Sequence, residues 1–281
     1  MAADTFILGV GAMKAGTTWL FDYLSGFKEV AASPLKEVHY FDVIYREDLF
    51  YRRVQKNWDR LQKAMQGRKI YDHLDSSVIR AHIERLYMEY HPEAYLEHFR
   101  GLEGELTSHF CEITPSYSLL PLEGFKEIKK RFEDAGLKIK IVFLLRDPVD
   151  RHWSQIRFSM RKKGGGSVRD YFSTLEDSGW IERGRYDLTV ERLNKVFGED
   201  EVYIGFYENL FNVNEVRGLL NFLGLPDRAN QAEIGKIVGR TDVREEMDDE
   251  FVVRATEIYK DVYDWCHSYF AGNVPQRWFR R

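Results

Sequence analysis

Apolar runs alternate with amphipathic stretches along most of the chain, and the two patterns predict different elements. Short, nearly continuous apolar runs are typical of strands that are buried on both faces. They occur at Thr5–Val10, around Val30–Ala32, and at His109–Ile113, Ile139–Leu145 and Val202–Tyr207. Because helical spacing lies between them, the chain is predicted to have an α/β fold, with a central parallel sheet flanked by helices.

Two further stretches have helical character. Residues 45–100 are rich in Arg, Lys, Tyr and His and lack strong strand signals, which predicts a helical insertion. This insertion could cap the acceptor side of an active site, or it could be a solvated structural insert. Between Glu245 and Phe270, apolar residues recur at helical spacing and predict a helix that packs on the core.

The first predicted strand leads into a turn that contains Gly11 and Gly16, and helical spacing begins at Thr17. A strand, turn and helix in this order direct successive backbone N–H groups at a bound anion, so we predict a phosphate-binding loop. Thr17 stands where a Walker A loop has its lysine, and the lysine of this loop, Lys14, lies inside the turn. The alternative interpretation is a glycine turn with a solvated lysine.

A second anion-binding position is predicted at the end of the fourth strand. Arg146 follows this strand directly, at the edge where open α/β sheets bind their ligands. Asp147 and Pro148 are typical of a helix N-cap and first turn. Ser154 lies eight residues after Arg146, about two helical turns, so it can share a face with the helix start. Arg146 could instead form an ion pair with Asp147 or Asp150.

Composition limits the partners that such sites can have. The 281 residues are 44% hydrophobic, and the net charge of −4 gives no overall attraction to nucleic acid or to a membrane surface, so we expect neither partner. Cys111 and Cys266 are too few for a disulfide framework and are typical of a reducing compartment. The sequence has no long apolar run and no leader pattern, which predicts a cytoplasmic protein. No metal-ligand motif is found either, so no metal is expected.

Four segments, in order along the chain, resemble those of the sulfotransferases that use 3′-phosphoadenosine 5′-phosphosulfate (PAPS). They are KAGTTWL in the glycine turn, KEVHYFD at Lys36–Asp42, EITPSY at Glu112–Tyr117 and IVFLLRDPVDRHWS at Ile141–Ser154. The resemblance is to the carbohydrate-type and bacterial branch of the family. It implies a single sulfotransferase domain over residues 1–281, a fold like that of P-loop NTPases, PAPS as co-substrate without a metal, and a small-molecule or carbohydrate acceptor.

The resemblance also implies roles for individual residues. Lys14 would stabilise the leaving oxygen of the donor, Glu37 would act as the general base toward a hydroxyl or amine, and His39 would be the second candidate base or would orient Glu37. The charged residues of KEVHYFD could instead form an ordinary solvated surface. The residues implied in nucleotide binding are Lys14, Ala15, Gly16, Thr17, Thr18, Trp19, Arg146, Ser154, Tyr186 and Arg240, with Arg146, Ser154 and Arg240 at the 3′-phosphate.

One departure from the family pattern leaves alternatives open. Ile113 stands where many relatives carry a lysine near the transferred group, so a second cationic stabiliser is in doubt. A catalytically inactive nucleotide-binding relative is therefore one alternative. A P-loop nucleotide or small-molecule kinase is the other, with Asp147 as a Mg²⁺ ligand. The acceptor's identity and the oligomeric state are not given by the sequence.

Overall fold

The computed structural model describes residues 3–50, 53–66, 76–165, 167–231 and 247–280. Five strands form one sheet in the order β2-β3-β1-β4-β5. Their bounds are β1 Thr5–Gly11, β2 Val30–Ala32, β3 His109–Ile113, β4 Lys138–Leu145 and β5 Val202–Phe206. The chain thus has the predicted single-domain α/β fold with a central parallel sheet, and each predicted strand is confirmed to within one residue at its ends.

Helices flank the sheet. In the first half of the chain they are α1 Thr17–Ser25, α2 Phe41–Tyr45, α3 Glu47–Phe50, α4 Arg53–Met65, α5 Ser77–Met88, α6 Ala94–Arg100 and α7 Leu122–Asp134. In the second half they are α8 Pro148–Lys163, α9 Ser178–Ile181, α10 Tyr186–Val196, α11 Val213–Leu223, α12 Asp249–Ile258 and α13 Lys260–Tyr269. The described part of residues 45–100 therefore consists of helices α3 to α6 and their connections.

The pattern between Glu245 and Phe270 gives two helices rather than the single predicted one. Helix α12 ends at Ile258 and α13 begins at Lys260. Tyr259 separates them because its backbone leaves helical geometry, with φ −97° and ψ 9°, while its side chain is fully buried. Apolar spacing continues through such a break, so the sequence pattern does not reveal it.

Contacts divide the chain into two compact units, and the first contains residues up to 10 together with 20–141. Its core is aromatic: the ring of Phe6 lies with its centroid 4.8 Å from that of Phe99 and 4.4 Å from that of Phe132. Strand β1 pairs in parallel with β3 from Thr5 opposite His109 to Gly9 opposite Ile113. This pairing brings the ends of β1 and β3 to the same edge.

The second unit contains residues 11–19 and those from 142 onward. Within it, the glycine turn is attached to the end of β4, since the Ala12 N–H donates to the Leu144 carbonyl at 2.7 Å. The Tyr207 N–H donates to the Leu145 carbonyl, also at 2.7 Å. These bonds fix the turn and the residue after β5 beside the point where β4 ends.

Two further findings bear on the composition-based expectations. Cys111 and Cys266 are both buried and unpaired, as a small core residue would be. Among the described residues, no helix combines the length and apolar character needed to cross a bilayer.

Candidate active site

The glycine turn in the second unit has the geometry that only a glycine allows at one position. Helix α1 begins at Thr17, as predicted, and Gly16 just before it has φ +86°. A Cβ on Gly16 would lie 2.8 Å from the Leu210 side chain and 3.0 Å from that of Tyr207. Both the backbone conformation and the close approach of these side chains therefore require glycine.

Lys14 is one of three described non-glycine residues with positive φ, at +71°. This left-handed conformation is unfavourable for a residue with a Cβ, and such strain is concentrated at functional sites. Its ammonium lies 4.5 Å from the centroid of the Phe158 ring, and the side chain is half-buried. The turn thus holds a lysine with a strained backbone three residues before α1 begins.

Arg146 is directly attached to this loop. Its Nη1 donates to the Lys14 carbonyl at 2.9 Å, and its guanidinium carbon lies 4.6 Å from the centroid of the Tyr207 ring. Among the described residues its contacts are thus a carbonyl and an aromatic face, with no carboxylate. Its positive charge is therefore available to an anion.

The alternative ion pair of Arg146 with Asp147 or Asp150 is not seen, because both carboxylates have other roles. Asp147 is fully buried and caps α8 by accepting from the Asp150 N–H at 2.9 Å. Asp150 pairs with Arg277 at 2.8 Å. The use of Asp147 as a helix cap also counts against a Mg²⁺-binding role in a kinase. In the part of the chain described, no cluster of three His, Cys, Asp or Glu is placed to bind a metal.

The other residues predicted to bind the nucleotide differ in exposure and in the groups they present. Ser154 lies within α8 and is half-buried, and Thr18 is exposed at the start of α1. The Trp19 side chain is only 4% exposed and packs edge-on against Phe211, so its backbone N–H is the group that could face an anion. Arg240 lies outside the described residues.

Tyr186 contacts the backbone of Arg146. The Tyr186 hydroxyl donates to the Arg146 carbonyl at 2.7 Å, and the side chain is 1% exposed. Burial raises the pKa of this phenol well above its ordinary value. Tyr186 thus supports the backbone of Arg146, and its contact with the nucleotide stays a prediction.

The KEVHYFD segment lies in the first unit and forms a chain of titratable groups. His39 Nε2 lies 3.1 Å from Glu37 Oε2, and His39 Nδ1 lies 2.6 Å from Asp42 Oδ2. Lys36 Nζ contacts the other Glu37 oxygen at 2.9 Å. The sequence predicted that Glu37 and His39 would share one side of an extended segment. They do meet, but residues 37–40 are irregular and His39 has φ +61°.

Side-chain exposure decreases from Glu37 through His39 to Asp42. The Glu37 side chain is 38% exposed, that of His39 5%, and that of Asp42 is fully buried. The Ser116 hydroxyl donates to Asp42 Oδ2, and it also lies 3.3 Å from His39 Nδ1. Asp42 thus contacts the imidazole on its buried side, while the Glu37 carboxylate is the group that solvent or a ligand can reach. Because Asp42 is buried, the alternative of an ordinary solvated surface does not apply to this segment.

The charges around Glu37 determine its protonation. Burial acts to raise the pKa of the Glu37 carboxyl, but the hydrogen bond from His39 and the charge of Lys36 outweigh it and lower the pKa to about 2. Two carboxylates lie within hydrogen-bond distance of one imidazole, a geometry in which each ring nitrogen can donate to a carboxylate oxygen. His39 and Lys36 therefore keep the Glu37 carboxyl ionised.

The EITPSY segment supports the Glu37–His39–Asp42 group through buried hydrogen bonds. Glu112 is fully buried and accepts hydrogen bonds from the hydroxyls of Tyr95, Thr114 and Tyr117 at 2.5, 2.7 and 2.8 Å. Tyr117 in turn accepts from the Tyr40 N–H at 2.9 Å. Since Tyr40 follows His39 directly, the network fixes the backbone that positions the imidazole.

Ile113 is a core residue in this chain. It is fully buried, and its side chain occupies the space beside Gly9, where an added Cβ would lie 2.8 Å from it. The family's usual lysine is thus replaced by packing between β1 and β3.

Three residues of the site were missed by the sequence analysis. Asp42 sits three residues after His39, a spacing that suits a contact at a helix start, and this signal was available. Tyr207, which touches both Gly16 and Arg146, comes from a distant strand end with no local signal. Ser116 likewise contacts Asp42 although the two residues lie 74 positions apart in the sequence, so there is no local signal for this contact.

Comparisons with known proteins bear on the family and the fold. The sequence profile described as the Sulfotransferase family matches residues 6–229. The structure is similar to that of a sulfotransferase from Alicyclobacillus acidocaldarius, with a TM-score of 0.65 and 21% identity over 100% of both chains. It is also similar to sulfotransferase STF9 from Mycobacterium avium, with a TM-score of 0.51 and 11% identity over 94% of this chain and 77% of that one.

At these identities the two structures show a shared, P-loop-like fold and no more, and no curated protein matches the sequence. The family profile, by contrast, spans most of the chain, including the glycine turn, KEVHYFD, EITPSY and the segment that ends at Ser154. Its match supports an enzyme of sulfuryl transfer in general. The chain therefore belongs to the sulfotransferase family.

Proposed function

We propose that the protein transfers the sulfuryl group of PAPS to a hydroxyl or amine of a small-molecule or carbohydrate acceptor. The observation that carries this proposal is the bond between Arg146 Nη1 and the Lys14 carbonyl at 2.9 Å. It ties the Arg146 guanidinium to the backbone of Lys14, so two residues that were predicted separately to bind anions lie next to each other. No carboxylate among the described residues neutralises Arg146.

The proposed reaction is an in-line displacement at sulfur. The acceptor oxygen or nitrogen forms a bond to sulfur while the bond from sulfur to the bridging oxygen breaks. Adenosine 3′,5′-bisphosphate (PAP) leaves with the electron pair of that bond. The acceptor loses one proton, which a base of the protein takes up.

Lys14 is assigned to the leaving group, because negative charge develops on the bridging oxygen as the bond breaks. The backbone N–H groups of residues 15–19 would bind the 5′-phosphosulfate oxygens, as the start of a helix binds anions. Arg146 and Ser154 would hold the 3′-phosphate, and Tyr186 would support Arg146 through its backbone. Arg240 stays a prediction for the same phosphate.

Glu37 is assigned as the general base, acting together with His39. Its carboxylate is the exposed end of a series of three contacting side chains that continues through His39 to the buried Asp42. A carboxyl with a pKa of about 2 is ionised but only weakly basic on its own. His39 Nε2 lies 3.1 Å from Glu37 Oε2 and would hold the carboxylate in position while Glu37 takes up the proton.

The 3′-phosphate assignment predicts a selective effect of Arg146→Ala. Loss of a charge-assisted contact costs about 2 kcal/mol, or roughly 30-fold in affinity. We expect calorimetry to show that loss for PAP. For adenosine 5′-phosphate, which lacks the 3′-phosphate, we expect a change of less than about threefold.

A matched control is Arg217→Ala, which removes an arginine of the same unit that is paired with Asp227. It should leave the affinity for both nucleotides unchanged. Equal losses for PAP and adenosine 5′-phosphate in Arg146→Ala would instead mean that Arg146 acts only by supporting the Lys14 loop.

A further inference from the structure

Two consecutive residues after β5, Tyr207 and Glu208, contact three consecutive residues at the point where β4 ends. The Tyr207 N–H donates to the Leu145 carbonyl at 2.7 Å, and the centroid of the Tyr207 ring lies 4.6 Å from the Arg146 guanidinium carbon. Glu208 Oε1 accepts from the Asp147 N–H at 2.9 Å. The contacts between the ends of β4 and β5 thus extend, through a side chain, to the residue after Arg146.

We propose that Glu208 is a positioning residue for Arg146, and that it thereby contributes to the preference for a nucleotide with a 3′-phosphate. The Glu208 carboxylate acts on the peptide bond that follows Arg146 and does not itself contact the nucleotide. This inference rests on the proposed function, in which Arg146 binds the 3′-phosphate.

The peptide bond between Arg146 and Asp147 is held at both of its polar groups. Its carbonyl accepts from the Tyr186 hydroxyl at 2.7 Å, and its N–H donates to Glu208 Oε1 at 2.9 Å. Because a peptide bond is planar, these two hydrogen bonds fix the orientation of the whole plane. The Cα of Arg146 lies in that plane, so the two bonds limit where the guanidinium can be placed.

Glu208 also supplies a hydrogen bond that a helix start often obtains from its own first turn. In a capping box, the side chain of the third helical residue accepts from the N-cap N–H. Asp147 is the N-cap of α8, but the carboxylate of the third residue, Asp150, pairs with Arg277 at 2.8 Å. The Asp147 N–H instead donates to Glu208, which lies 61 positions further along the chain. The start of α8 is therefore attached to the same segment that contacts the Arg146 guanidinium.

The carboxylate of Glu208 has an advantage and a disadvantage at this position. Burial raises the pKa of the Glu208 carboxyl, which means that the fold disfavours its ionised form. An ionised acceptor, however, forms a hydrogen bond about twice as strong as a neutral one does. A glutamine would therefore keep the bond to the Asp147 N–H in a weaker form, whereas a leucine would lose it.

The test is calorimetric titration of the full chain with PAP and, separately, with adenosine 5′-phosphate. Glu208→Leu should weaken PAP binding about tenfold and adenosine 5′-phosphate binding by less than about twofold. Glu208→Gln should recover the PAP affinity to within about threefold of the original. When Glu208→Leu is added to Arg146→Ala, the PAP affinity should change by less than about twofold, because both substitutions remove the same contact with the nucleotide.

Glu201→Leu is the matched control. Glu201 lies at the other end of β5, and its Oε2 accepts from the Gly198 N–H at 2.7 Å, so this variant also removes a carboxylate that binds a backbone N–H. Its PAP affinity should equal that of the original. If Glu208→Leu does not fold, Glu208→Asp tests the same contact, because its carboxylate is one methylene shorter. It should weaken PAP binding to a similar degree.

The outcomes separate this inference from the proposed function. If the original chain does not bind PAP, the proposed function is wrong and the inference falls with it. If the chain binds PAP but Glu208→Leu leaves that affinity unchanged, or weakens both nucleotides equally, the inference alone is overturned. A loss in Glu208→Gln as large as that in Glu208→Leu, or additive losses in the double variant, would overturn it as well.

Discussion

Replacement of Lys14 by methionine is expected to lower kcat by about 10³-fold with PAPS as donor, the loss typical of removing one group that stabilises a developing oxyanion. Methionine keeps most of the side-chain length but lacks the charge that would neutralise the bridging oxygen. The affinity for PAP should change by less than about tenfold, because the backbone N–H groups and Arg146 still bind the phosphates. Release of PAP in the steady state measures the rate, and calorimetry measures the affinity.

The positive φ of Lys14 provides a matched control. Lys14→Gly also removes the ammonium, but glycine adopts φ +71° without strain, so this variant should be more stable than Lys14→Met by about 1 kcal/mol. If the charge is what matters, both variants lose activity to the same degree in spite of this difference. Near-normal turnover in Lys14→Gly would show that the lysine ammonium is not needed for the reaction.

Glu37→Gln is expected to lower kcat by at least about 10²-fold, since general bases typically contribute that much or more. Glutamine keeps the shape of the side chain but cannot take up the acceptor's proton. The PAP affinity should stay within about twofold of the original, because the nucleotide is assigned to residues of the other unit. Glu47→Gln, at an exposed glutamate at the start of α3, is the control and should leave kcat unchanged.

Glu37→Gln is also expected to change the pH dependence of the free energy of unfolding, whether or not the protein turns over. The folded protein lowers the pKa of Glu37 from 4.5 to about 2, so the folded state binds this proton less tightly than the unfolded state does. The resulting stabilisation is complete above pH 4.5 and is lost as the pH falls through about 2. Chemical denaturation of Glu37→Gln should therefore show a flatter pH dependence in this window. An unchanged slope would mean that Glu37 is not held by His39 and Lys36.

Much of the fold could be predicted because it depends on local patterns. A buried parallel strand is a short apolar run whatever surrounds it, which is why β3 is found at His109–Ile113 as predicted. The N-cap at Asp147 followed by Pro148 is equally local, and α8 begins there. The break at Tyr259 could not be predicted, because a single non-helical residue leaves the apolar spacing intact.

The site could be predicted only where its residues are close in sequence. Lys14 and Gly16 belong to one turn, and Glu37, His39 and Asp42 to one segment, although Asp42 also accepts a hydrogen bond from the distant Ser116. The contact of Arg146 with the Lys14 carbonyl, and the role of Tyr186 behind it, arise from chain segments far apart. No spacing of residues along the sequence predicts these two contacts. The positive φ of Lys14 is likewise a product of tertiary packing, since lysine does not favour it.

The central claim is that the Lys14 loop and Arg146 bind the nucleotide of an activated sulfate donor. The most direct test is calorimetric titration of the full chain with PAP in the presence of EDTA, followed by titration with ATP and Mg²⁺. Saturable binding of PAP without metal, at micromolar or tighter affinity, is the predicted result. Binding of Mg²⁺-ATP without any binding of PAP would contradict the account and would favour a kinase.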